Sequence, residues 1–156
     1  MKYLFYFENF GNSKHYIDDI LKNYLECVLW TEEYDEEVKD KTIYDFSEKS
    51  KKEATEQIKW FVDMSGDALD DISDESIGHD LWLTRNGHGS GFFDRGYDDD
   101  IEEILSYLSN ILGEVYLEVG DDDKIDFIGS DKYKDFDFEQ YKKDKELKKT
   151  MSKYNL

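Results

Sequence analysis

The segment that most limits the fold is Gly78–Gly96, GHDLWLTRNGHGSGFFDRG, which holds five of the chain's ten glycines, both arginines and two of its three histidines. Two β-prone runs, Leu81–Thr84 and Phe92–Asp94, flank the glycine-rich Asn86–Gly91, and this order predicts a β-hairpin with a longer loop. Asn86, Gly87 and Gly89 would supply positive φ in that loop. Leu81-Trp82-Leu83 is apolar on both alternating faces, so the strand is expected to be central and covered on both sides, or to present one aromatic to a partner.

Helical spacing surrounds this hairpin. Ile17, Ile20, Leu21, Tyr24, Leu25 and Val28 recur at i, i+3, i+4, i+7 and predict a helix from Ser13 to about Trp30, with Cys27 bordering the stripe. The acidic run Thr31–Glu37 reads as loop. Ser50-Lys51-Lys52-Glu53 has the capping-box pattern, followed by Ala54, Ile58, Phe61 and Val62 on one face and a stop before Gly66. An acidic connector with Asp67, Asp70, Asp71, Asp74 and Glu75 leads into the hairpin. A further helix is expected from near Asp99, with Ile101, Ile104, Leu105, Leu108 and Leu112 as its stripe and Gly113 as its stop. Its opening acids suit the positive end of a helix dipole. Val115–Val119 and Lys124–Ile128 flank Gly120–Asp123 as a second hairpin, and Tyr3–Phe7 reads as an edge strand or a first turn.

This order predicts an α+β fold in which helices pack on one face of a small, largely antiparallel four-stranded sheet made of two hairpins. Residues 1–130 form one acidic domain, and 131–156 a lysine-rich extension, either a helix or a flexible arm. The chain has no proline, no internal repeat and no low-complexity tract.

With 156 residues, 38% hydrophobic and 16% aromatic, the chain is too rich in core-forming side chains to be disordered. A lone cysteine, no secretory leader pattern and no apolar run long enough to span a bilayer point to a reducing cytoplasm. The net charge of −19 is unevenly spread: from Lys132 onward there are eight lysines and five acids, so residues 1–131 carry 12 basic and 34 acidic side chains, net −22. Such a surface repels nucleic acid and attracts basic proteins. The plainer reading is a solvated surface that serves solubility.

Few constellations point to chemistry. A metal site built from His79, Asp80, His88 and Asp94 would place His79 at the open end of a regular hairpin and His88 in its loop, on the order of 20 Å apart, too far for ligands that must each stand about 2 Å from one metal unless the Gly-rich loop folds back over the sheet. Ser90 is one place off the Gly-x-Ser-x-Gly elbow and lacks its strand-to-helix context. Asp121–Asp123 lacks the spacing of a calcium loop and reads as a solvated turn. Trp82, Phe92 and Phe93 suggest base stacking, but a body at −22 offers no basic groove, so core packing is the better reading. The remaining enzymatic reading uses the loop amides as an anion nest, with His88 as acid or base and Arg85 and Arg95 as phosphate clamps beside Asn86. Against it stands a hairpin whose His88 is merely exposed and whose arginines pair with acids such as Asp80 and Asp94. No catalytic residue, metal site or cofactor is assigned.

The run GHDLWLTRNGHGSGFFDRG, followed by a helix and GEVYLEVGDD, resembles a family of small, mostly uncharacterised bacteriophage and prophage proteins carrying an Asp-aromatic-Trp/Leu-Leu-Thr-Arg-Asn-Gly-His-Gly core. Tyr24–Glu26, Leu29–Thr31 and the segment around Ile58–Val62 resemble that family's amino-terminal half, so the likeness covers roughly residues 24–128. It departs at Leu81 and Phe93 and in the extension after Ile128. The resemblance implies a phage accessory protein acting in the bacterial cytoplasm and implies no chemistry.

Charge and resemblance together suggest an acidic decoy, with carboxylates standing in for nucleic-acid phosphates in the basic groove of a host restriction or CRISPR nuclease. The candidate partner-binding acids are Glu32, Glu33, Asp35, Glu36 and Glu37; Asp67, Asp70, Asp71 and Asp74; and Asp98, Asp99, Asp100, Glu102 and Glu103. The partner would be a basic, nucleic-acid-binding protein, with no direct contact to nucleic acid or membrane. The alternatives are an accessory protein-binding module with incidental charge, and a small nucleotide-binding protein or hydrolase working at the Gly-rich loop.

Overall fold

The computed structural model describes residues 14–154, so the expectation for Tyr3–Phe7 lies outside the described residues. Among the described residues there are five α-helices and one strand pair: α1 Ile17–Thr31, α2 Glu48–Ser65, α3 Asp74–Arg85, α4 Asp99–Leu112, β1 Tyr116–Val119, β2 Ile125–Ile128 and α5 Phe138–Lys153.

The expected four-stranded sheet is therefore wrong. Of the described residues 63% are helical, and the sheet they form is two-stranded and antiparallel, with Tyr116 opposite Ile128 and Val119 opposite Ile125. What reads as the first hairpin is the end of α3 (Leu81–Thr84), a glycine-rich loop, and a single 3-10 turn at Phe92–Asp94. α3 is enclosed: Ile77, Gly78 and every residue from Asp80 to Arg85 are buried. A helix buried on all sides has no polar face, so it loses the 3.6-residue signature and leaves a short apolar run that looks like strand.

The other elements follow their apolar spacing. α1 buries Ile17, Ile20, Tyr24, Leu25, Cys27 and Val28. The cap of α2 lies three residues before the expected one: Ser47 accepts from the Ser50 N–H at 3.2 Å, while Ser50 lies buried inside the helix and accepts from the Phe127 N–H of β2 at 2.8 Å. α4 spans Asp99–Leu112 and stops at Gly113, where φ is +76°.

Contacts fix the helix directions. Asp74 meets His15 and the Tyr16 N–H at the amino end of α1, the Cys27 thiol points to the His79 carbonyl, and the Trp82 indole N–H donates to Thr31 Oγ1 at 2.9 Å. Positions advance together, so α1 and α3 run in parallel. Gly78 makes their approach possible, since a Cβ there would stand 2.5 Å from the Ile20 carbonyl oxygen and 2.8 Å from the Tyr24 nitrogen. The loop after α3 doubles back, with Phe92 at Thr84 and Arg95 at Asp80, and α4 then ends beside the carboxyl end of α3. α4 thus runs the same way. α2 is opposed: it begins at the sheet, where Phe46 bridges Ile125, and its end leads to Leu69, whose carbonyl contacts His15.

The sheet closes the carboxyl ends of α1 and α3 through Phe127, which meets Tyr24, Trp82 and Phe46. After β2, Tyr133 is buried edge-on against Trp60, and Tyr141 of α5 stacks on Tyr107 of α4 at 4.8 Å. Phe138 is partly buried against the core, and no residue of α5 is fully buried.

Candidate functional site

Most of the polar groups in Gly78–Gly96 hold the fold together. Arg85, the last residue of α3, is buried at 3% exposure and donates to the Gly113 carbonyl at 2.7 Å, the Leu112 carbonyl at 3.0 Å, Gln57 Oε1 at 2.6 Å and the Tyr24 hydroxyl at 3.1 Å. Its partners are the last carbonyls of α4, where the aligned peptide dipoles place roughly half a negative charge. The guanidinium therefore plugs a helix carboxyl terminus in the interior. Among the described residues it pairs with no acid, contrary to the sequence reading, and at 3% exposure it is out of reach of an external phosphate.

Asn86 donates to the Trp82 carbonyl at 3.0 Å and accepts from the Val115 N–H at 2.9 Å, tying the end of α3 to the segment entering β1. Its φ is −103°, so it supplies no left-handed turn; Gly87 and Gly89 do, at +66° and +74°. Asp80 is buried and takes Arg95 with both oxygens, at 2.8 to 3.2 Å. These hydrogen bonds hold the Arg95 guanidinium above its ordinary pKa. Thr84 Oγ1 accepts from the Phe92 N–H, and Asp94 accepts from the Gly91 N–H. Gly91 has φ +151°, and a Cβ there would run into Thr84 Oγ1, so the turn admits only glycine.

His88 stays exposed, its ring 6.3 Å from that of Trp82 and its N–H bonded to the Leu83 carbonyl. Asp80 is committed to Arg95, and among the described residues no group of three His, Cys, Asp or Glu could hold a metal ion. Cys27 is buried, and desolvation pushes its thiol up to about 12, which keeps it protonated and unreactive.

The acids fall into two ends of the molecule. Glu32, Glu33, Asp35, Glu36 and Glu37 follow the carboxyl end of α1, whereas Asp70 pairs with Lys14 at 3.9 Å and Asp74 is engaged by His15 and Tyr16 at its amino end. The 15 residues of α1 separate these clusters by about 22 Å. Asp99, Asp100 and Glu102 occupy the first turn of α4, after Asp98 at its cap. Asp99, Glu102 and Glu103 also line an open cleft of about 550 Å³ with Thr84, Phe93, Ser106 and Asn110. Glu36 pairs with Lys39 at 2.9 Å, and Asp35 accepts from the Glu37 N–H. Glu32, Glu33, Glu37, Asp67, Asp71, Asp98, Asp99, Asp100, Glu102 and Glu103 have no side-chain partner among the described residues.

Two features escaped the sequence reading. One is the role of Arg85, which becomes visible only when the end of α4 is known. The other is Trp30, 64% exposed, with Tyr34 at 89% just beyond α1. Its signal was present, because Trp30 lies off the apolar stripe of α1. Among the described residues no helix is long and apolar enough to cross a membrane. No family model matches this sequence, and no curated protein or solved structure matches it either.

Proposed function

We propose that this chain is an acidic interaction protein of phage or prophage origin. It acts in the bacterial cytoplasm, where it occupies the basic groove of a host nucleic-acid-binding defence enzyme, a restriction or CRISPR nuclease. The observation that carries this reading is the set of largely exposed carboxylates, at both ends of α1 and along α4, that have no side-chain partner among the described residues. A carboxylate costs little in water and gains most where a partner's cations replace solvent, so unpaired acids in number favour a basic surface. Their separation of about 22 Å matches six to seven base pairs of B-form DNA, at 3.4 Å per step. The polar groups of the Gly-rich segment add support of a negative kind, because Arg85, Asn86 and Asp80 are consumed by folding and are unavailable for catalysis.

The test is affinity capture from bacterial lysate with the tagged protein, eluted by a salt ramp. Recovery of a nucleic-acid enzyme that elutes as salt rises, is competed by added DNA, and is retained by His88→Ala supports the reading. Recovery of no basic protein at low salt overturns it.

A further inference from the structure

We propose that the carboxyl end of α1 is an arginine-docking surface, built from Trp30 and Tyr34 with Glu26, Glu33 and Glu37 around them; the proposal rests on the reading above and names where the basic partner is gripped. Of the three tryptophans, Trp60 and Trp82 are 2% and 1% exposed, whereas Trp30 is 64% exposed. The chain thus leaves one indole in water and sets an almost fully exposed tyrosine four residues beyond it. Glu26 stands one helical turn before Trp30 on the same face of α1. Glu26, Glu33 and Glu37 are exposed and have no side-chain partner among the described residues. The His88 loop is held at this same end, because Trp82 both bonds Thr31 and meets the His88 ring.

Aromatic rings beside carboxylates select one cation over others. A guanidinium is planar, lies flat on an indole or phenol face, and still offers its edge to a carboxylate fork, whereas an ammonium is a strongly hydrated point charge. Exposed Trp and Tyr are also the residues that most often anchor protein interfaces. The chain cannot satisfy this surface itself: Arg85 is buried against α4 and Arg95 is clasped by Asp80. The occupant is therefore an arginine-rich surface of another protein.

The experiment uses oligoarginine and oligolysine peptides of equal length at low salt, with acrylamide quenching of tryptophan fluorescence as the site-specific readout. Because Trp30 is the exposed indole, bound oligoarginine should shield the quenchable fraction. It should bind more tightly than oligolysine, and lose about tenfold in affinity to Trp30→Ala with Tyr34→Ala. Oligoarginine that binds without shielding Trp30, and that is weakened instead by Asp99→Asn with Glu102→Gln, would overturn this surface while leaving an acidic interaction protein intact. Failure of both peptides to bind would overturn both.

Discussion

Arg85 decides how the Gly-rich segment should be understood, because the same guanidinium would mean different things in a phosphate clamp and in a core. Buried at 3% exposure among four acceptors, it satisfies the last carbonyls of α4 and the Tyr24 hydroxyl at once. Burial alone would raise the Tyr24 phenol, and the neighbouring Arg85 charge pulls against that rise. Arg85→Met leaves several buried acceptors unpaired, at about 1–3 kcal/mol each, so a loss of roughly 3 kcal/mol or more is expected in urea unfolding. Arg85→Lys should fall between, since a single ammonium cannot span the fork. His88→Ala, one turn away in the loop but exposed, should stay within about 0.5 kcal/mol of the parent. Equal losses for Arg85→Met and His88→Ala would contradict the division of the segment into a folding part and an exposed part.

At the scale of elements, α2 carries an uncompensated carboxylate. Asp63 lies in the last turn, where the helix dipole disfavours negative charge, and its Oδ2 is buried with no hydrogen-bond partner among the described residues. Burial pushes its pKa up to about 6, above the ordinary value of about 3.9. Below about pH 4 the group is neutral in native and unfolded states alike and costs nothing. As pH rises from there to about 6 the native state alone keeps the proton, so stability falls, and above that the full penalty stands. Discounted for solvent screening of a partly exposed group, the penalty is roughly 1 kcal/mol. Asp63→Asn should therefore raise the urea midpoint at pH 8 and leave it unchanged at pH 4. The helices legible in the sequence are those with one wet face: α1, α2 and α4 show their stripes, and Gly66 and Gly113 mark the ends of α2 and α4; the β1–β2 hairpin was legible as well. α3 was not legible, because α1, α4 and the sheet bury it nearly all round and Asn86–Gly91 mimics a hairpin turn. Its start was nonetheless written in Ser73-Asp74-Glu75-Ser76, where Ser73 accepts from the Ser76 N–H at 3.2 Å. Of the candidate site, the acids were legible as types and positions; which of them stay unpaired depends on how Lys14, His15 and Lys39 fall in three dimensions.

For the whole molecule, parallel alignment of α1, α3 and α4 gathers three positive helix ends together, with Asp18 and Asp19, Asp74 and Glu75, and Asp99, Asp100 and Glu102 in their first turns. Those acids offset the dipoles and are stabilising where they stand. The acids at the carboxyl end of α1 have no such compensation, since a helix carboxyl terminus is itself negative, and there the charge destabilises the fold. Added salt should then raise the melting temperature of the wild-type protein, most steeply below about 0.1 M, where the screening length exceeds about 10 Å. Glu32→Gln with Glu33→Gln and Glu37→Gln should raise it at low salt and flatten its salt dependence. Asp99→Asn with Asp100→Asn should lower it at low salt by removing favourable dipole contacts. Glu32, Glu33 and Glu37 follow the carboxyl end of α1 while Asp99 and Asp100 open the parallel α4, about one helix length or roughly 20 Å away, so at physiological salt, with a screening length of about 8 Å, the two sets of substitutions should act additively. At about 0.01 M salt, where the length is near 30 Å, the combined variant should deviate from the sum. Additivity at both salt concentrations would mean that the two ends do not feel each other even unscreened, and that a partner reads them as two separate patches.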